Sequence, residues 1–242
     1  MPNLLYLILG KPSNKFNKTA ADIDRNHVVD IFDVYRSLGL IKNSSTRAMS
    51  RAGSSASDKL TISDFTINVN QSRELQIELT NTTVYAGFQF DLVLPEGITV
   101  TNYSVNASRI PEQIEVQMVK TENGYRFVGS GLGMETITGN SGGIITITVK
   151  ADENLKGRHM TGYLREVKLS TSEGEGSTIE ENVFNITDDK CGDVDGNGKL
   201  NSLDVKAIAE LIMKGEYKAK ADVNGDNKVD AVDIVIVTNE IK

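Results

Sequence analysis

The feature that most restricts this chain is a 12-residue pattern that occurs three times. GDVDGNGKLNSLDV, Gly192 to Val205, recurs as ADVNGDNKVDAVDI, Ala221 to Ile234, at an offset of 29, and a third copy, ADIDRNHVVDIFDV, runs from Ala21 to Val34. Each copy places side-chain oxygens at positions 1, 3, 5, 9 and 12. They are Asp193, Asp195, Asn197, Asn201 and Asp204 in the middle copy, and Asp222, Asn224, Asp226, Asp230 and Asp233 in the last. In the first copy they are Asp22, Asp24, Asn26, Asp30 and Asp33. Three copies in register mark one structural unit used repeatedly.

That spacing suits calcium, a hard cation that takes six to eight oxygens, because an EF-hand-like loop presents ligands at these offsets and adds the backbone carbonyl of position 7. The carbonyl belongs to Val28, Lys199 or Lys228, so the side chain there is free to vary. Position 8 is apolar in every copy (Val29, Leu200, Val229) and is expected to turn inward and pin the loop. Position 12 is Asp, which would draw the following helix closer to the ion than Glu does. Position 6 requires a residue that tolerates a positive φ. Gly198 meets that requirement, Asn227 accepts it and His27 suits it least, which makes Asp22 to Asp33 the least secure of the three sites.

Both C-terminal loops lead into period-3.6 apolar spacing, Val205, Ile208, Ala209 and Ile212 after one and Ile234, Val237 and Ile241 after the other, so two helices are predicted to meet through these faces. Leu4 to Leu9 is likewise read as a helix, too short and without the basic flank of a signal sequence. Between Leu60 and Thr187 the texture changes to nine short β-branched and aromatic runs separated by Asn, Gly, Pro and Ser clusters. The pattern predicts an antiparallel β-sandwich with a hairpin at Glu122-Asn123-Gly124. Residues 43–57, NSSTRAMSRAGSSAS, read as a flexible linker.

Composition narrows the function. Twenty-six basic against 33 acidic residues, with no basic block, argue against a nucleic-acid partner. No run approaches the roughly 20 apolar residues of a membrane span. The single cysteine, Cys191, precludes an intrachain disulfide and is read as a domain-edge residue. With only His27 and His159 and no Trp, a histidine-based triad or zinc site has little to work with, so no catalytic residues are assigned. Tyr85, Tyr103, Tyr125 and Tyr163 are read as core or corner residues rather than a sugar platform. A carbohydrate-binding or adhesion module, or a structural spacer, stands as the alternative to a protein-binding module.

Residues 191–242, CGDVDGNGKLNSLDVKAIAELIMKG followed by ADVNGDNKVDAVDIVIVTNEI, resemble a type I dockerin, a pair of calcium-loop-plus-helix repeats. The resemblance implies calcium binding and insertion into a cohesin partner, with recognition at loop positions 10 and 11, here Ser202, Leu203, Ala231 and Val232. The usual Ser-Thr pair is absent, so partner specificity does not carry over. The N-terminal segment resembles the second half of another dockerin, with LLYLILGK parallel to the helix AELIMKG, and its missing first loop implies a longer or trimmed parent. Residues 58–187 resemble a cohesin-like sandwich of the kind also seen in carbohydrate-binding modules. This order of modules is similar to that of large extracellular proteins of gut Bacteroidetes, which implies an extracellular or cell-surface location. The expected architecture is multidomain α and β: a half dockerin (1–42), a linker (43–57), an antiparallel sandwich (58–188) and a dockerin (189–242).

Overall fold

The computed structural model describes residues 2–11, 17–42, 57–131, 133 and 135–241; the linker reading falls, apart from Ser57, outside them. Eleven strands are found among the described residues: β1 Lys59–Thr61, β2 Phe65–Thr66, β3 Ser72–Thr80, β4 Gly87–Val93, β5 Ile98–Val105, β6 Ile114–Thr121, β7 Gly124–Gly131, β8 Gly143–Ala151, β9 His159–Ser170, β10 Gly176–Thr178 and β11 Asn182–Thr187. They form two sheets, ordered β1-β3-β8-β5 and β2-β11-β9-β4-β7-β6, with β10 paired to β9.

Period-2 alternation builds the core between the sheets. In β3, Leu75, Ile77 and Leu79 turn inward while Glu74, Gln76 and Glu78 face water. From the other sheet Phe88, Phe90, Leu92, Phe127, Leu164 and Phe184 join the same cluster, and the rings of Phe90 and Phe127 stack at 4.9 Å. The hairpin forms as predicted, with Thr121 opposite Gly124 across Glu122 and Asn123. Three details differ from the sequence reading. LTISDFTINV, read as one strand, supplies β1 to one sheet and β2 to the other. β2 runs parallel to β11, while the other pairings are antiparallel. β10 has too little apolar alternation to be seen in advance.

The helices are α1 Pro2–Ile8, α2 Lys18–Ala21, α3 Ile31–Lys42, α4 Ser202–Lys214 and α5 Ala231–Glu240, with a 3-10 turn at Ala219–Ala221. None among the described residues is long and apolar enough to cross a membrane. α4 and α5 meet as predicted, burying Ile208 and Val237 with Val194, Ala221 and Val223. Cys191 is 3% exposed in this cluster, so it is a core residue rather than an edge residue. α1 and α3 bury Leu4, Ile8, Leu9, Phe32, Val34, Tyr35 and Leu38 against each other and against Ala86 and Val128 of the sandwich. The N-terminal unit therefore shares a hydrophobic cluster with the outer face of the larger sheet.

Candidate metal-binding loops

The three loops close in the same way. The Asp at position 12 turns back: Asp33 Oδ1 accepts from Ile23 N at 2.7 Å, Asp204 Oδ1 from Val194 N at 2.9 Å and Asp233 Oδ1 from Val223 N at 2.7 Å. Its other oxygen accepts the N–H of position 9, from Asp30, Asn201 and Asp230 at 3.0, 3.0 and 2.8 Å. Position 9 in turn caps the helix through its side-chain oxygen, completing capping boxes at α4 (Asn201 with Asp204) and α5 (Asp230 with Asp233). One Asp thus fixes the loop entry and the helix start together.

Position 6 has φ 70° at His27, 82° at Gly198 and 68° at Asn227, as the loop turn requires. Position 4 is left-handed too: φ is 57° at Arg25, 77° at Gly196 and 78° at Gly225. Sequence reasoning missed this second requirement. The first loop meets both with side-chain-bearing residues, where the middle loop has glycine twice. Val29, Leu200 and Val229, at position 8, lie partly buried against their local clusters.

Carboxylate oxygens of Asp22, Asp24 and Asp33 lie within 4.8 Å of one another, and so do those of Asp193, Asp195 and Asp204. In the middle loop Asp193 Oδ1 is buried and lacks a hydrogen-bond partner, an arrangement that suits a cation at the loop centre. Asp22 and Asp222 instead accept two loop N–H groups each, from Asn26 and His27 and from Asp226 and Asn227. Burial pushes the Asp33 carboxyl up to about 6, with the charges of Asp30 and Asp22 adding to the effect. Oxygen side chains, buried carboxylates and a left-handed turn together form a donor set for a hard divalent cation.

The surroundings distinguish the loops. In the first, Asp24 pairs with Arg36 at 2.5 Å and Asp30 with Lys168 of β9 at 3.0 Å. In the last, Tyr217 donates to Asp222 Oδ2 at 3.0 Å, and burial followed by that bond pushes the Tyr217 hydroxyl up to about 12. The last loop also rests on the turn between β8 and β9: Lys156 Nζ donates to Asn227 Oδ1 at 2.6 Å and Arg158 N to the Val223 carbonyl at 2.8 Å. Arg158 further donates to the Cys191 carbonyl at 2.9 Å, and His159, exposed at the start of β9, lies 3.3 Å from Glu240.

Ser202, Leu203, Ala231 and Val232 are all exposed at the starts of α4 and α5, with Leu203 at 58% and Val232 at 50%. The tyrosines are largely used internally. Tyr85 is fully buried and donates to Asp58 at 2.5 Å, Tyr125 accepts from Val100 N, and Tyr103 meets Phe127 edge-on. Tyr163 is half-buried, with the Arg165 guanidinium 4.0 Å above its ring.

A family model described as the dockerin type I domain matches residues 191–242. The C-terminal module is a type I dockerin. The dockerin thus comprises both C-terminal loops, α4, α5 and the Cys191 cluster. No curated protein matches the sequence. Solved structures similar to the chain include a non-cellulosomal cohesin from the archaeon Archaeoglobus fulgidus, at 10% identity and TM-score 0.44, covering 55% of this chain and 92% of that one. The seventh ScaB type I cohesin from Pseudobacteroides cellulosolvens is 16% identical, with TM-score 0.44, over 57% of this chain and 94% of that one. A chain of a type I cohesin–dockerin complex from Clostridium thermocellum is 9% identical, with TM-score 0.46, over 59% and 99%. Sequence reasoning did not foresee Arg36 and Lys168 beside the first loop; the closely spaced Gly174 and Gly176 were the available signal of a close approach.

Proposed function

We propose that this protein is a non-catalytic, calcium-dependent interaction protein whose C-terminal dockerin attaches it to a cohesin-type partner. The observation that carries the reading is the paired arrangement at residues 191–242: two loops of matching hydrogen-bond geometry, each launching a helix whose first residues are exposed, Ser202 and Leu203 on α4 and Ala231 and Val232 on α5. Calcium would be held by Asp193, Asp195, Asn197, Asn201, Asp204 and the Lys199 carbonyl, and by Asp222, Asn224, Asp226, Asp230, Asp233 and the Lys228 carbonyl. The orphaned Asp193 Oδ1 supports an ion in the first of these. In the N-terminal unit Asp22, Asp24, Asn26, Asp30, Asp33 and the Val28 carbonyl form the corresponding set.

A bound ion would supply positive charge that lets the carboxylates converge; the chain supplies two pre-capped helices, each with an exposed apolar residue in its first turn, Leu203 and Val232. The sandwich is read as cohesin-like, and we divide the chain at 1–42, 43–57, 58–188 and 189–242. We place the protein outside the cell, as part of a larger polysaccharide-degrading or surface assembly. Titration calorimetry of the full chain against a type I cohesin of the same organism tests this. Binding in calcium that disappears in EDTA, and in the Asp204→Ala, Asp233→Ala double variant, is expected; equal binding in EDTA would overturn it.

A further inference from the structure

The two dockerin repeats are alike in sequence but not in surroundings. At position 2 of the middle loop, the Val194 carbonyl accepts from Lys218 Nζ at 2.6 Å, a donor from the dockerin itself. At position 2 of the last loop, the Val223 carbonyl accepts from Arg158 N at 2.8 Å, and Arg158 belongs to the sandwich, one residue before β9. Position 4 differs in the same sense. A Cβ at Gly196 would meet nothing within 4 Å, whereas one at Gly225 would touch Gly157 Cα and the Lys156 carbonyl, each at 3.5 Å. At position 6, Gly198 is likewise open, while Asn227 Oδ1 accepts from Lys156 Nζ at 2.6 Å.

Three consecutive sandwich residues, Lys156, Gly157 and Arg158, therefore meet positions 6, 4 and 2 of the last loop in turn. These positions alternate with the oxygen-bearing positions 1, 3 and 5, held by Asp222, Asn224 and Asp226. Arg158 also ties the turn to the rest of the dockerin. Its carbonyl accepts from Asp188 N at 2.9 Å, and its guanidinium donates to the Asp189 and Cys191 carbonyls at 3.1 and 2.9 Å. Its buried Nε faces the Glu240 carboxylate at the end of α5, 3.6 Å away. Holding alternate backbone positions before an ion arrives removes part of the ordering cost of binding it.

We infer that the Lys156–Arg158 turn is a positioning element of the last loop, so that filling this loop with calcium and seating the dockerin on the sandwich are linked, while the middle loop fills without the sandwich. Linkage is reciprocal: the factor that the seated turn adds to ion affinity is the factor that the ion adds to seating. The last ion then holds α4 and α5 in one direction relative to the sandwich. The coupling rests on the calcium reading of the loops and adds to it a dependence on a second module.

Terbium, a luminescent stand-in for calcium, tests this in the full chain. The chain has no Trp, and Tyr217 donates to Asp222 Oδ2 at 3.0 Å, so the emission lost in Tyr217→Phe reports the last loop. Arg158→Ala should weaken terbium there about tenfold, and Lys156→Ala by less. Charge alone predicts the opposite sign, because each substitution removes a cation beside a cation site. Amide exchange supplies a second readout, on the sandwich side. Calcium should slow exchange of the Arg158 amide at least tenfold in the unaltered chain and in Asp204→Ala, but not in Asp233→Ala. Unchanged or tighter terbium binding in both turn variants, or an Arg158 amide indifferent to calcium, would overturn the coupling alone. No Tyr217-dependent emission from the unaltered chain would overturn the calcium reading of this loop and the coupling with it.

Discussion

Lys168 Nζ lies 3.0 Å from Asp30 Oδ2, 138 residues away in sequence, and the carboxylate is fully buried. A buried pair is costly to break from one side, because the surviving charge stays desolvated. Lys168→Met is expected to lower stability by about 3 kcal/mol in EDTA. Saturating calcium should recover part of that loss, since the ion brings positive charge beside Asp30. Urea titrations with and without calcium check both values; equal losses in the two conditions would detach Asp30 from the ion site.

Asp204 closes its loop through three backbone N–H groups, those of Val194, Asp195 and Asn201, and completes the capping box of α4. Asp204→Ala should cost about 1 kcal/mol in EDTA, the worth of a cap. In calcium at a thousand times its dissociation constant the loss should exceed that by about 4 kcal/mol, the linkage contribution of the bound ion. Thermal melts at two calcium concentrations separate the two contributions.

The first loop pays twice for side chains in left-handed backbone, at Arg25 and His27. His27→Gly removes roughly 1–2 kcal/mol of that strain and gives back about 0.5–1 kcal/mol through the greater freedom of the unfolded chain. Calcium affinity at this loop should therefore rise about threefold, as read by titration with a competing chelator. Asn227→Gly should change the last loop by a few tenths of a kcal/mol at most, because Asn already tolerates the conformation.

Leu203 and Val232 start adjacent helices and are half exposed. Leu203→Asp and Val232→Asp should each leave calcium binding unchanged while weakening cohesin binding, by about thirty-fold wherever the residue is a central contact. The unequal response of the two variants identifies which repeat faces the partner.

Cys191 is 3% exposed inside the dockerin cluster. In calcium its thiol should resist a water-soluble thiol reagent, and in EDTA, as the module loosens, it should be labelled at least tenfold faster. Stoichiometric labelling at equal rates in both conditions would show that the cluster does not depend on the ion.

Much of this was legible locally. The loops declare themselves because ligand spacing is a property of 12 consecutive residues, and β5 and β6 fall where ITVTNYSV and IEVQMVK alternate. What stayed hidden depends on distant partners. The chain crosses between sheets at Ile62 to Asp64, where two successive polar residues, Ser63 and Asp64, shift the alternation by one position, and the pairing of β2 with β11 shows what that shift means. Arg25 at position 4 of the first loop conceals a left-handed residue that Gly196 and Gly225 advertise. Tyr35 reads as one more apolar helix residue until Gly87, Ala86 and Gly131 are brought around it.

β9 links the two ends of the molecule. Its first residue, His159, and Arg158 just before it lie against the dockerin, and Lys168 near its last reaches the N-terminal unit. Twelve residues at about 3.3 Å each make a strut of roughly 40 Å. β11 pairs with its first half, His159 to Leu164, and β4 with its second, Tyr163 to Ser170, so a pull between a captured partner at one end and the chain's N-terminal region at the other would load both ladders in shear, many bonds together. Such a strut would transmit tension without unzipping.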